Sequence, residues 1–178
     1  MKSSYLILLS IIIVLSSCEQ NDWSEDTTSV NNDSLHNIGG KAICFWNITN
    51  EGWLPDLSCS PGKVNPNCTK ENICTPGYTK TVRNVTQKKK EQVYINYGVL
   101  TRTTGEYEMD HIIPLELCGS NDIENLYPQP AEPILGFKQK DRLENLANDL
   151  VCAGEETLKD AQIKISSNWI EYYHEVIE

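Results

Sequence analysis

Asp110 and His111 are adjacent in the chain, and their side chains could do chemistry together. A neutral imidazole can take a proton from water near pH 7, and a carboxylate is a ligand that hard divalent cations prefer. Two further carboxylates, Glu108 and Glu116, flank the pair. Because a lone histidine after an aspartate is usually only a hydrogen-bonded surface pair, the surrounding elements must decide whether these residues form a site.

The segment around this pair has the pattern of two short strands followed by a helix. Alternating residues before Pro114 indicate the first strand, and Pro128 is expected to stop the second. Apolar residues at helical spacing, followed by Gly154 as a C-terminal cap, indicate the helix. The predicted elements are a strand at residues 106–113, a turn at 119–122, a strand at 125–127 and a helix at 136–152. Together they form a ββα motif over about residues 106–152.

Two more helices and a loop-rich region complete a predicted domain at residues 41–178. Thr86 is expected to cap a helix that runs to about Tyr97. A last helix begins at Thr157, where Asp160 gives a variant of the capping box. Gly, Pro, Asn and Cys are dense up to about Thr79, so this part should be mostly loop held by disulfides. The fold class is therefore α+β, with a loop-rich N-terminal half and a C-terminal helix packed behind the motif.

The composition allows one globular domain and restricts how it could bind nucleic acid. The chain has 178 residues, of which 39% are hydrophobic, and a net charge of −10. This charge argues against coating nucleic acid through an overall positive field, so any phosphate binding must be local.

Basic residues are concentrated in one stretch of this acidic chain and beside the predicted helix of the motif. The first group is Lys80, Arg83, Lys88, Lys89, Lys90 and Arg102, and the second is Lys138, Lys140 and Arg142. We expect Arg83, Lys88, Lys140 and Arg142 to contact phosphate. For the three consecutive lysines, the alternative is an ordinary solvated helix face.

The N-terminus has the features of an export signal. An apolar run of signal-peptide length follows Lys2, and it ends in Leu15-Ser16-Ser17-Cys18, which resembles the lipobox of bacterial lipoprotein precursors. We therefore expect a signal peptide at residues 1–17, lipidation of Cys18 and an acidic, polar tether at residues 18–40. An ordinary secretory peptide is the alternative. The expected location is the cell envelope, on the periplasmic or cell-surface side of a bacterial membrane.

The remaining cysteines form an even set, which is typical of disulfides in an exported chain. They are Cys44, Cys59, Cys68, Cys74, Cys118 and Cys152. The sequence alone does not choose among their pairings. Trp46, Trp53 and Trp169 could stack on bases, but we expect them to fill the core.

The segment YEMDHIIPLELCGSNDIENLYPQP resembles the HNH endonuclease family, and most closely its small exported bacterial members. The likeness continues through Lys140-Asp141, the Val151-Cys152-Ala153-Gly154 turn and Ala161-Gln162, and it covers about residues 54–173. The resemblance implies a ββα-metal fold, also called the His-Me finger. It further implies metal-dependent hydrolysis of phosphodiester bonds.

The family pattern assigns roles to individual residues. His111 would be the general base and Asp110 the first metal ligand, while Asn125 would hold the loop that carries the base. For the second metal ligand, on the helix, Asn145 is the first choice, with Asp141 or Glu144 as alternatives. Mg²⁺ suits these oxygen ligands, and Mn²⁺ or Ca²⁺ would suit them too.

Two cysteines depart from the family pattern. Cys118 stands where similar exported proteins generally carry glycine, and Cys68 also departs. The two could be a matched disulfide beside the active loop. The alternative is a strained Cys118 that damages the site.

The leading expectation is a largely nonspecific endonuclease that acts on DNA, or on RNA, outside the cytoplasm, anchored to a membrane through Cys18 and monomeric. The first alternative is a non-catalytic, lipid-anchored envelope binding module on an HNH-like scaffold, which the acidic net charge favours. The second is an enzyme acting on another phosphodiester or a glycan through Glu108, Asp110 and Glu116, but it leaves His111 and Asn125 unexplained.

Overall fold

The computed structural model describes residues 44–177, and these residues form an α+β structure of two small sheets and five helices. The predicted signal peptide, the predicted tether and the predicted lipidation site Cys18 lie outside the described residues. The strands are β1 (Asn47–Ile48), β2 (Trp53–Leu54), β3 (Tyr107–His111) and β4 (Leu126–Pro130). The helices are α1 (Lys70–Ile73), α2 (Tyr78–Val82), α3 (Gln87–Asn96), α4 (Phe137–Ala153) and α5 (Leu158–Ile177). No helix within residues 44–177 is long and apolar enough to cross a bilayer.

Strands β3 and β4 form an antiparallel hairpin that places the Asp110–His111 pair at its end. Asp110 lies opposite Tyr127, and His111 lies opposite Leu126. The expectation that Pro128 would stop β4 is wrong, because the strand continues to Pro130. The Pro128 carbonyl accepts a hydrogen bond from the Trp46 indole at 2.8 Å, so the backbone polar groups of Pro128 point away from β3. Proline lacks an N–H, but none is needed at this position for pairing with β3.

The predicted helices are confirmed, and local caps account for their ends. The Thr86 hydroxyl accepts a hydrogen bond from the Lys89 N–H at 3.3 Å at the start of α3. Gly154 ends α4 with a left-handed φ of 82°, which glycine adopts without steric cost. Thr157 accepts from the Asp160 N–H at 3.1 Å before α5, as the capping pattern predicts. Helix α5 is interrupted by a non-helical residue, Asn168.

The buried residues form two hydrophobic clusters, and the second includes the β3–β4 hairpin. One joins α4, α5 and the 3₁₀ turn Leu115–Leu117, and it contains the buried Trp169. The other packs α3 against the β3–β4 hairpin. Trp46 is only partly buried and lies against Trp53, Tyr97 and Tyr107, so the tryptophans pack as structural residues.

Three disulfides connect the loop-rich N-terminal half to itself and to the rest of the domain. They are Cys44–Cys59, Cys68–Cys118 and Cys74–Cys152. The expected Cys68–Cys118 pair is confirmed. Cys118 has a φ of 64°, a left-handed conformation that favours glycine. Disulfides of this number indicate an oxidising, non-cytoplasmic environment.

Candidate active site

Asp110 and His111 lie at the end of β3, where side chains of adjacent residues point to opposite faces. The contact between the two residues is made by the His111 backbone and the Asp110 carboxylate. The backbone N–H of His111 donates to Asp110 Oδ1 at 2.8 Å. Asp110 Oδ2 accepts from the Lys140 ammonium at 2.8 Å, on the side covered by α4. The carboxylate therefore lies on the α4 side of the hairpin, while the imidazole turns toward the loop after Leu117.

The His111 ring is buried and neutral. Only 2% of the residue is exposed, and burial lowers its pKa to about 4, with the Asp110 charge opposing this shift and Arg83 adding to it. Its Nε2 lies 3.3 Å from Asn121 Oδ1. At pH 7 the imidazole is thus unprotonated on one nitrogen and can accept a proton.

Asn125 holds the loop beside the histidine through hydrogen bonds to backbone groups. Its Oδ1 accepts from the N–H of Ile113 at 2.9 Å and of Lys63 at 3.1 Å. Its Nδ2 donates to the carbonyls of Ile113 at 2.9 Å and of Ser120 at 2.8 Å. Asn125 thus bonds to backbone groups of three separate segments. A Cβ at Gly119 would lie 1.7 Å from the Ile113 oxygen, so only glycine fits this close approach.

The prediction that Lys140 contacts phosphate is wrong, because its side chain is buried and paired with carboxylates. Its side chain is fully buried, and the ammonium donates to Asp110 Oδ2, to the His111 carbonyl at 2.7 Å and to Glu144 Oε1. Burial alone would lower the pKa of Lys140, but the charges of Asp110 and Glu144 outweigh it and raise the pKa. Lys140 is therefore a charged internal clamp between α4 and the end of β3.

Three carboxylates, those of Glu108, Asp110 and Asp141, act on one another beside this clamp. Burial, followed by the charges of Asp110 and Asp141, raises the pKa of Glu108. Burial, followed by the charge of Asp110, raises the pKa of Asp141, whereas Lys140 and Arg83 oppose these shifts. Since Glu108 and Asp141 are largely exposed, a cation from solvent could reach the cluster and relieve the repulsion.

The donors at this site are carboxylates, the ligands that hard divalent cations prefer. Within residues 44–177, no group of three or more His, Cys, Asp or Glu side chains is arranged to hold a metal ion. Asp110 and Asp141 nevertheless offer two mutually repelling carboxylates. Mg²⁺ commonly keeps several waters and is bound by one or two carboxylates together with substrate phosphates. These two residues are thus the best-placed candidates.

Asn145, the first choice for the second ligand, lies elsewhere on α4. Its amide donates to the Asp141 carbonyl of its own helix at 2.8 Å, and the residue is exposed. It lines a shallow cavity of about 340 Å³ with Glu116 and Asn148, and neither Asp110 nor His111 is among the lining residues. Of the two remaining sequence candidates, Glu144 is buried and paired with Lys140, whereas Asp141 is exposed and is therefore favoured.

The predicted phosphate-contacting arginines and lysines occupy three different elements. Arg83 directly follows α2, Lys88 lies on α3, and Arg142 lies on α4, all with exposed side chains. The charge of Arg83 influences the pKa values of Glu108, His111 and Asp141. Lys89 instead donates to the Asn121 carbonyl at 2.6 Å and so supports the loop.

Asn121 is the site residue that sequence reasoning missed. It was predicted only as part of a turn, yet its side chain contacts the His111 ring. No periodicity or cap marks such a residue, because its partners lie far apart in the chain.

Comparison of the chain with protein-family models, with curated proteins and with solved structures finds no significant match.

Proposed function

We propose that the chain is a metal-dependent, largely sequence-nonspecific endonuclease of the HNH type, with a ββα-metal core formed by β3, β4 and α4. DNA is the proposed substrate, and RNA is the alternative. The observation that carries this proposal is the neutral His111 imidazole held beside the cluster of Asp110, Asp141 and Glu108, with the Arg83 charge facing it. A proton acceptor, a cation-attracting cluster and a phosphate-binding cation are the groups that phosphodiester hydrolysis needs.

In this mechanism, His111 takes a proton from the attacking water as the water oxygen bonds to phosphorus and the bond to the leaving oxygen breaks. Asp110 and Asp141 would hold a divalent cation, Mg²⁺ in the first instance, which stabilises the charge on the phosphate and on the leaving oxygen when bound. Arg83 orients the phosphate that is cleaved. Lys88 and Arg142 contact further phosphates along the nucleic-acid strand. Asn125 keeps the base-bearing loop in place.

The proposed setting is the bacterial cell envelope, where Cys18 would carry a lipid that anchors the protein to a membrane. The three disulfides support an oxidising compartment. The acidic net charge would keep nucleic-acid contact local to the basic residues around the site.

The test is plasmid cleavage by the full chain in mild detergent, with its disulfides formed. We expect nicking with Mg²⁺ or Mn²⁺ that EDTA abolishes and that falls by at least about 100-fold in His111→Ala. Lys159→Ala, at an exposed position on α5, is the matched control and should cut normally. Folded protein that leaves both DNA and RNA intact with every divalent cation would contradict the proposal and favour a non-catalytic envelope binding module.

A further inference from the structure

The hydrogen bonds of Asn121 determine which end of its amide faces His111. Asn121 Nδ2 donates to the Val82 carbonyl at 2.9 Å, and a carbonyl can only accept. Asn121 Oδ1 accepts from the Asn84 backbone N–H at 3.1 Å, which can only donate. These two partners fix the amide in one orientation. The oxygen, and not the nitrogen, is therefore the atom 3.3 Å from His111 Nε2.

An oxygen acceptor at this position requires a hydrogen on His111 Nε2. A neutral imidazole carries one N–H, so the proton-accepting nitrogen is then Nδ1. Within residues 44–177 the His111 ring makes its hydrogen bond through Nε2, so Nδ1 is the nitrogen left to accept a proton from water. We propose that Asn121 is a positioning residue that holds His111 in the Nε2–H tautomer and thereby makes Nδ1 the base nitrogen. This inference rests on the proposed function for its catalytic meaning, although the tautomer itself does not.

The same amide connects the base to the phosphate-binding segment. Its two backbone partners, Val82 and Asn84, lie on either side of Arg83. The backbone carbonyl of Asn121 is in turn held by Lys89 from α3 at 2.6 Å. The Asn121 side chain thus joins the loop after Leu117 to the segment that presents Arg83. A change that breaks these bonds should disturb the ring and the arginine together.

Nitrogen-15 NMR of histidine-labelled full chain, without nucleic acid or divalent cation, reads the tautomer directly. His111 is assigned by the signals that disappear in His111→Gln. We expect wild-type His111 to show a protonated Nε2 and an unprotonated Nδ1 at pH 7.5. A protonated Nδ1 in the wild-type protein would overturn the inference.

Three variants test whether the Asn121 side-chain amide, and not a general change in the loop, sets the tautomer of His111. Asn121→Ala should convert His111 to a mixture of tautomers or to the Nδ1–H form. Asn121→Asp retains an oxygen acceptor and should keep the wild-type tautomer. Asn84→Ala keeps the backbone N–H that donates to Asn121 Oδ1, so His111 should keep the wild-type tautomer in this variant too. An unchanged tautomer in Asn121→Ala, in protein shown to be folded, would refute the role of the amide, as would an equal change in Asn84→Ala.

Cleavage assays then connect the tautomer to the reaction. If the wild-type protein cuts DNA, Asn121→Ala should lower kcat by about 100-fold and raise KM less. A normal kcat in a variant with the altered tautomer would overturn the assignment of Nδ1 as the base. If the wild-type protein cuts no nucleic acid but shows the Nε2–H tautomer that Asn121→Ala loses, the positioning by Asn121 stands and the proposed function fails.

Discussion

Lys140 shows how one residue can organise the chemistry of a site without being exposed to substrate. Its ammonium has three hydrogens, and Asp110, Glu144 and the His111 carbonyl accept all of them. Two carboxylates thus share one buried cation. The lysine fixes the carboxylate of Asp110 and the backbone of His111 relative to α4, so these two adjacent residues keep their positions at the strand end.

We predict that Lys140→Met lowers the free energy of unfolding by about 3–5 kcal/mol, because it leaves the buried carboxylates of Glu144 and Asp110 without their cation. Urea denaturation of the folded protein measures this change. Lys138→Met, at an exposed position in the same helical turn, is the control and should stay within about 0.5 kcal/mol of wild type. Equal stability of the two variants would show that the clamp does not stabilise the fold.

At the scale of the element, the β3–β4 hairpin depends on side-chain hydrogen bonds more than its five-residue strands suggest. The connection between the strands makes few regular backbone pairs near Ile113 and Ser120. Asn125, which is fully buried, supplies partners for both segments. The hairpin and the loop around His111 therefore form one hydrogen-bonded unit.

We predict that Asn125→Ala lowers the free energy of unfolding by at least about 2 kcal/mol, since it leaves several buried backbone groups without partners. The same denaturation experiment applies, with hydrogen exchange of the Ile113 amide as a local measurement. Asn145→Ala removes one exposed hydrogen bond on α4 and should change stability by no more than about 0.5 kcal/mol. A stable Asn125→Ala variant with a protected Ile113 amide would contradict this account.

At the scale of the whole described domain, disulfides connect segments that are distant in sequence. Cys68–Cys118 spans 50 residues and Cys74–Cys152 spans 78. Such long loops lose much conformational entropy when a cross-link closes them in the unfolded chain. The two bridges differ in place, because Cys118 directly precedes the loop that holds His111, whereas Cys74–Cys152 joins the end of α1 to α4.

We predict that removing either long-range bridge lowers the free energy of unfolding by about 4 kcal/mol. Only removal of the Cys68–Cys118 bridge should also impair cleavage. Cys68→Ala with Cys118→Gly should lower the cleavage rate, because the loop that carries Ser120 and Asn121 loses its restraint. Cys74→Ala with Cys152→Ala is the matched control and should retain the rate at temperatures where it is folded. Equal cleavage rates in the two double variants would show that the Cys68–Cys118 bridge has no specific effect on the site.

The sequence by itself determined the parts of this protein that depend on neighbouring residues. Strand alternation, helical spacing and the caps at Thr86, Gly154 and Thr157 predicted β3, α3, α4 and α5, since these signals act within a few residues. The even cysteine set predicted disulfides. The Asp110–His111 pair and Asn125 could also be singled out as candidates, because they lie in one short segment of the chain.

Only the tertiary structure decided which distant groups meet. Lys140 resembles a surface lysine in sequence, but packing buries it between two carboxylates. Pro128 resembles a strand end, but its peptide faces away from β3 and the strand continues. Asn121 contacts His111 and the residues on both sides of Arg83 because the loop folds across the chain. Such contacts depend on long-range packing and on desolvation, which no local spacing records.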